Sequence, residues 1–246
     1  DVTRLRRLEN VRRDFVANVS HELKTPVTSI KGYAETILDS AFEDADQTKK
    51  FLEIIVRQSN QLHAIVDDLL SLSKIEQNTD KEGIVLTRGK VKYVLNAAVQ
   101  VCSLKAKEKD ISLNIDCPED LEVAMDSALM EQAVANLVIN AVKYSDPGSQ
   151  VKIWGYEIDQ DDKEMLAISV QDYGVGIGKE HLPRLFERFY RSDKARSRKL
   201  GGTGLGLAIV KHIAQAHNGT VSVESEIGKG SVFTILLPVS HDDEVS

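Results

Sequence analysis

The sequence predicts an α+β protein in two parts: a helical hairpin suited to a dimeric four-helix bundle, then an α/β sandwich of helices on a mixed sheet. Three observations carry this. Apolar residues recur at helical spacing from Leu5 to Ile37 and again from Phe51 to Leu72. The turn-forming stretch Asn78-Thr79-Asp80-Lys81-Glu82-Gly83 then breaks the pattern. Beyond it, short strand-like runs interleave with three more helical ones.

The first helix is read from Leu5, Leu8, Val11, Phe15, Val19, Leu23, Ile30, Tyr33 and Ile37. Pro26 lies inside it, removes one backbone hydrogen bond and crowds the preceding turn, so a bend is expected near His21-Leu23. Ser40 to Asp46 reads as a polar turn. In the second helix Phe51, Ile55, Leu62, Ile65, Leu69 and Leu72 form a seam, with Gln58 filling one place. Ile54, Val66 and Leu70 widen that stripe beyond what one partner helix covers, and pairing two hairpins in a homodimer would bury the extra flank. After the linker, strands are expected at Ile84-Thr87, Ile111-Ile115, Val151-Tyr156, Leu166-Gln171, Thr220-Glu224 and Ser231-Leu237. Helices are expected at Val91-Lys107, Asp126-Lys143 and Gly204-His217. The resulting division is a hairpin over 10–77, a linker over 78–83, a sandwich over 84–240 and a polar tail over 241–246.

Composition narrows the partners. A net charge of -7 argues against a surface built for nucleic acid, despite Arg4, Arg6, Arg7, Arg12 and Arg13, and no nucleic-acid partner is expected. Cys102 and Cys117 form neither a CxxC nor a Cys/His cluster, which fits a reducing compartment and no zinc site. No apolar run approaches the roughly 20 residues that cross a bilayer, so this stretch is expected to make no direct membrane contact. It begins Asp1-Val2-Thr3-Arg4, without Met, and reads as a piece of a longer protein.

Four stretches of the second part carry chemistry. Asn136, Asn140 and Lys143 share one helix face; amide oxygens suit a magnesium ion already neutralised by phosphates, and a lysine pairs with those phosphates, although a solvated face has the same pattern. Asp172-Tyr173-Gly174-Val175-Gly176 ends a strand. Its carboxylate could accept from an exocyclic amine such as adenine N6 while the glycines admit a flat base, and a plain turn is the other reading. Gly201-Gly202-Thr203-Gly204-Leu205-Gly206 opens a helix and offers backbone amides to an anion. It matches neither GxGxxG nor GxxxxGK[ST], so hydride-transfer and P-loop readings both lose support. Gly228-Lys229-Gly230-Ser231 is a hairpin turn. Phe186-Glu187-Arg188-Phe189-Tyr190-Arg191 and the polar run behind it suit a lid. Upstream, Ser20-His21-Glu22-Leu23-Lys24-Thr25-Pro26 puts an imidazole, a carboxylate and a hydroxyl within five consecutive positions, which alone is ordinary helix surface; Thr25 stands where a zinc protease would need its second His.

As an ordered set these stretches resemble the catalytic core of sensor histidine kinases, over residues 10 to 238. Phe15-Pro26 resembles the family's H box, Asn136-Tyr144 its N box, Asp172-Gly176 its G1 box, Phe186-Arg191 its F box and Gly202-Gly206 its G2 box; residues 1–9 resemble the exit helix of a PAS sensor region, as in phosphate-regulon sensors. The resemblance implies an ATP-binding fold of the gyrase, Hsp90 and MutL type, with ATP and Mg2+ as cofactors. Asp172 would receive the adenine amine, Asn140 would hold magnesium with Asn136 beside it, and Lys143 and Tyr144 would meet the phosphates. Gly174 and Gly176 would line the base, while Gly202, Thr203, Gly204, Leu205 and Gly206 would form the lid. Arg191 would approach the γ-phosphate, assisted by Arg188. His21 would be the phosphoryl acceptor, Glu22 its proton partner and Thr25 a phosphatase residue. A homodimer, a response-regulator receiver domain as partner, and a cytoplasmic position beneath a membrane-anchored sensor are likewise implied. A clamp-type ATPase of the same nucleotide fold leaves the hairpin and His21 unexplained, and a bare docking module leaves the boxes unexplained.

Overall fold

The computed structural model describes residues 2–39, 44–81, 83–160, 163–192 and 201–239. Two compact units emerge: Asp1–Leu70 with Lys194–Leu205, and Ser71–Asp193 with Gly206–Ser246.

The first unit is built on α1 (Val2–Asp39) and most of α2 (Ala45–Lys81). Helix α1 is continuous across Pro26, whose ring is buried and which brings no N–H to the helix ladder. Three hydroxyls on α1 bond back one turn: Ser20 to the Val16 carbonyl, Thr25 to that of His21 at 3.1 Å, and Thr36 to that of Gly32. Of the expected turn at Ser40-Asp46, residues 40–43 lie outside the described residues. Asp44 caps α2, its Oδ1 accepting from the backbone N–H groups of Asp46 and Gln47. Tyr33 and Phe51 meet with ring centroids 5.2 Å apart, joining the two helices. Val66 and Leu70 of the widened stripe stay exposed, as do Val16, Val27 and Val56, so one hairpin leaves that stripe partly uncovered.

Two boundaries differ from expectation. Helix α2 runs through Lys81 and takes in most of the linker expected over 78–83, because Asn, Thr, Asp and Lys each cost a helix only tenths of a kcal/mol, about 0.7 at most, and neither Pro nor Gly intervenes before Gly83. The units divide inside α2, at Leu70 and Ser71. Leu72 and Ile75 are fully buried and Ser71 Oγ accepts from Gln132 Nε2 at 2.8 Å, which ties this last stretch of α2 to the second unit.

The second unit holds a five-stranded mixed sheet of order β2 (Ser112–Asp116), β4 (Gln150–Gln160), β5 (Lys163–Asp172), β7 (Gly230–Pro238), β6 (Thr220–Glu226); β2 and β4 are parallel and the other pairs antiparallel. Helices α3 (Val91–Glu108), α4 (Ser127–Tyr144) and α5 (Gly206–Ala216) cover one face. Val151, Ile153, Ile168, Val170, Ile235 and Leu237 from the strands bury against Leu95, Val134, Leu137, Val138, Ile209 and Ile213, each worth about 1.5–3 kcal/mol of apolar transfer. A separate antiparallel pair joins β1 (Thr87–Lys90) to β3 (Glu122–Met125). β1 begins where the expected strand ended, since Val85 stays exposed, and β3 was not expected at all.

Candidate functional site

In the second unit the site is assembled at the end of α4 and the end of β5. Asp126 starts α4, its Oδ1 accepting from the N–H groups of Ala128 and Leu129 at 3.0 Å. The Asp126 backbone N–H donates to His217 Nε2 at 3.0 Å, and His217 Nδ1 lies 2.7 Å from the Ile213 carbonyl, which makes this buried imidazole a neutral Nδ1–H tautomer and a strut between α5 and α4. Burial first of all pushes its pKa down, so a proton is refused where it would break the strut.

Along α4, Asn136, Asn140 and Lys143 are half-buried on the expected face. Asn136 Nδ2 is buried with no hydrogen-bond partner, and its Oδ1 lies 3.7 Å from where a Cβ on Gly206 would sit. A buried amide donor left unmet costs about 1–3 kcal/mol, a cost that a ligand acceptor would remove. Lys143 is pushed down to about 8, mainly by burial and then by the positive charges of Arg191, Lys105 and Lys109; its Nζ stands 5.3 Å from the Tyr144 ring centroid. An anion near the Lys143 ammonium would relieve this positive field.

Asp172 is buried at the end of β5. Its Oδ1 accepts from the Gly174 N–H at 2.9 Å, and burial raises its pKa against the opposing bonds from Gly174 and Ser231. On the Cβ side of the glycines that follow, the space is filled by the chain itself. A Cβ on Gly174 would stand 2.3 Å from the Tyr144 carbonyl oxygen, and one on Gly176, at φ +68, would stand 2.0 Å from that of Glu226. These glycines lock the turn against α4 and the β6–β7 hairpin.

In the Phe186-Arg191 segment Phe186 meets Phe233 edge-on at 6.4 Å, the His181 ring bonds the Tyr190 hydroxyl at 2.8 Å, and Arg184 stacks on Tyr190 while pairing with Glu187. Phe189 is held at φ 63, a left-handed conformation costly for a bulky residue. Arg191 lies near enough to Lys143 to lower its pKa. Arg188 is bonded to Glu76 near the end of α2, and its Nη2 lies 3.4 Å from His212 Nε2. Neither Glu76 nor His212 was singled out from the sequence, because their partners lie more than a hundred positions or a whole domain element away. Gly206, the last of the G2 glycines, opens α5 in this unit.

The first unit holds the rest. His21 and Thr25 are exposed on α1, and Glu22 is half-buried between them. Gly202, Thr203, Gly204 and Leu205 also belong here. Thr203 Oγ1 donates to Asp68 Oδ2 at 2.6 Å and accepts from the Leu205 N–H at 3.2 Å, while Gly204 takes φ +77. Burial raises the pKa of Asp68, with the Thr203 hydroxyl opposing and Asp67 adding to the rise.

For magnesium, the fit lies in the donor chemistry. Among the described residues no cluster of three or more His, Cys, Asp or Glu side chains could cage a metal by itself. The amide of Asn140 suits a cation that brings phosphate and water ligands of its own. Among the described residues no helix is long and apolar enough to cross a membrane.

Comparison with known proteins adds the following. Residues 11–78 match the "His Kinase A (phospho-acceptor) domain" and residues 125–241 the "Histidine kinase-, DNA gyrase B-, and HSP90-like ATPase". The chain is 43% identical over 242 residues to the sensor-like histidine kinase SenX3 of Mycobacterium tuberculosis, with 97% of this chain and 57% of that protein covered. It is 40% identical over 237 residues to the phosphate regulon sensor protein PhoR of Pseudomonas aeruginosa, covering 95% of this chain and 52% of the relative. The chain thus spans little more than half the length of these curated relatives. The solved structure of Acinetobacter baumannii histidine kinase AdeS superposes with a TM-score of 0.69 at 26% identity, over 90% of this chain and 98% of that one. Histidine kinase ThkA, solved in complex with response regulator TrrA, shares the fold with a TM-score of 0.75 at 24% identity, over 96% of this chain and 64% of that one.

Proposed function

Since this chain belongs to the sensor histidine kinases and carries both their phospho-acceptor and their ATPase regions, we propose that it phosphorylates His21 from ATP, passes the phosphoryl group to an aspartate of a response-regulator receiver domain, and removes it from that aspartate. The observation that carries the reading is the presence, in one chain, of an exposed imidazole within the phospho-acceptor match and a half-buried lysine beside other cations, with an unmet amide donor on the same helix face, within the ATPase match. Asp172 receives the adenine amine. Lys143, Tyr144 and Arg191 meet the phosphates with Asn136 beside them, Arg188 assists, and Gly202, Thr203, Gly204, Leu205 and Gly206 line the lid. Magnesium, held by Asn140 and the phosphates, supplies charge neutralisation when bound.

In the transfer the His21 Nε2 lone pair bonds to the γ-phosphorus as the bond to the β–γ bridging oxygen breaks and ADP leaves. The Nδ1 proton passes to Glu22. Positioning and electrostatics do the rest. The exposed Val16, Val27, Val56 and Val66 support a homodimer of hairpins. The chain would work in the cytoplasm as part of a longer, membrane-anchored sensor.

Incubation with γ-labelled ATP tests the reading: acid-labile, alkali-stable label on the protein is expected, whereas steady phosphate release without label would make it a clamp-type ATPase. Thr25→Ala is expected to keep autophosphorylation and lose most dephosphorylation of the regulator, because in this reading the exposed Thr25 hydroxyl, one turn after His21, orients a water against the phosphoaspartate. Equal loss of both activities would defeat that assignment.

Lys143 adds a pH dependence. An unfolded lysine titrates near 10.4, so with a folded pKa of about 8 the unfolded state holds more protons between those values; this residue costs stability below pH 8 and the cost is relieved as pH rises through that window. A bound polyphosphate reverses the preference. Nucleotide binding at pH 8.5 is therefore expected to draw a proton from solution, read by calorimetry in buffers of different ionisation enthalpy, and no uptake would remove Lys143 from the phosphate site.

A further inference from the structure

We infer that Lys109, at the end of α3, is a positioning residue of the nucleotide site, holding the last turn of α4 in the place from which Lys143 and Tyr144 reach the ligand. The inference rests on the ATP-binding reading above.

A helix ends with carbonyls that its own backbone cannot satisfy. At the end of α4 the Ala141 carbonyl accepts from the Ser145 N–H. The next two are met by Lys109, whose Nζ donates to the Val142 carbonyl at 2.9 Å and the Lys143 carbonyl at 2.7 Å; it lies 3.3 Å from the Ser145 carbonyl as well. An ammonium has three donors, and three carbonyls surround this one. Its positive charge also sits where the helix dipole is negative. The backbone of Lys109 is pinned too: its N–H donates to Ala106, and its carbonyl accepts from Gly148 in the α4–β4 turn at 3.1 Å.

What the ammonium holds is the contact surface of the site. The Tyr144 carbonyl lies against Gly174 so closely that a Cβ there would stand 2.3 Å away, and the Gly174 N–H is the donor to Asp172 Oδ1. Contacts therefore run without a gap from Lys109 through the last turn of α4 to the carboxylate that receives the base. Lys105, one turn back on α3, is exposed and adds charge near Lys143 as Lys109 does, so charge alone does not set Lys109 apart from it.

The comparison of these two lysines is the test. Binding of ADP without metal, measured by calorimetry well below the melting temperature, is expected to weaken about ten-fold in Lys109→Met and less than about two-fold in Lys105→Met, with Lys109→Arg recovering most of the loss. In the label assay Lys109→Met should raise the KM for ATP more than it lowers kcat. Equal losses in the two Met variants would reduce Lys109 to a field effect, and a lowered Tm with unchanged affinity would reduce it to a structural cap; either overturns the inference. If Lys109→Met does not fold, the native protein decides: the Lys109 ammonium resonance should shift and slow its exchange on ADP binding, and an indifferent resonance overturns the inference. A native chain that binds no ADP defeats the ATP reading itself.

Discussion

A chain carrying His21→Gln is expected to take up no acid-labile label from γ-labelled ATP while binding nucleotide as the native chain does. Glutamine is a good helix former of similar polarity, and position 21 is exposed, so α1 should keep its form. The amide nitrogen of glutamine lacks the free lone pair of imidazole Nε2 and cannot form the phosphoramidate. The Thr25 hydroxyl bonds the carbonyl of residue 21 and not its ring, so that contact survives the substitution. The competing acceptors can be ranked in advance. His217 is buried with both nitrogens engaged, and His212 lies against Glu76 and Arg188. His63 is exposed on α2, its Nε2 3.3 Å from Asp67. Label that persists in His21→Gln and disappears in His63→Gln would move the acceptor to α2 and overturn the assignment.

Much of this architecture was legible because each signal is local. The change from a 3.6-residue to a 2-residue period separated hairpin from sheet, and all six expected strands overlap strands of the structure, the first only at Thr87. Glu122–Met125 escaped because four residues with a single β-branched side chain carry almost no strand signal; its register against Thr87–Lys90 is set by tertiary contact. The end of α2 was misplaced for a related reason. Polar residues read as a linker, yet the burial of Leu72 and Ile75 just before them stabilises the helix that they continue. In the candidate site, residue types at characteristic spacings pointed to phosphate and adenine chemistry, but the supporting groups had no such spacing. Lys109 sits in a run of alternating charges that reads as solvated surface, and only the folded chain brings its ammonium to the end of α4. His217 likewise reads as the polar end of a helix until the Asp126 N–H is seen to point at it.

The glycines of the G1 turn were legible from the sequence, but the backbone packed on their Cβ side was not, and it yields the second large effect. Gly176→Ala should destabilise the second unit by several kcal/mol, about 3–5, and abolish nucleotide binding, because two penalties act together. A left-handed φ of +68 costs an alanine roughly 1–2 kcal/mol. The larger penalty is steric: the new Cβ would stand 2.0 Å from the Glu226 carbonyl oxygen and 2.6 Å from its carbon, and this is backbone, which cannot rotate aside. Nor can the hairpin retreat freely. The Gly228 N–H donates to the Val175 carbonyl at 2.9 Å, the Ile177 N–H donates to Ser225 Oγ at 2.8 Å, and that hydroxyl donates to the Gly230 carbonyl, so turn and hairpin are stitched on both sides of the clash. Relief must come from moving the turn, which carries the Gly174 N–H away from Asp172. Gly228 separates the two penalties. It has φ +80 with nothing within 4 Å of a Cβ, so Gly228→Ala should incur only the conformational cost. Denaturant unfolding of the two variants is expected to place Gly228→Ala within about 2 kcal/mol of the native protein and Gly176→Ala well beyond it. If the two unfold together, the close approach of Gly176 to Glu226 is not what holds the turn.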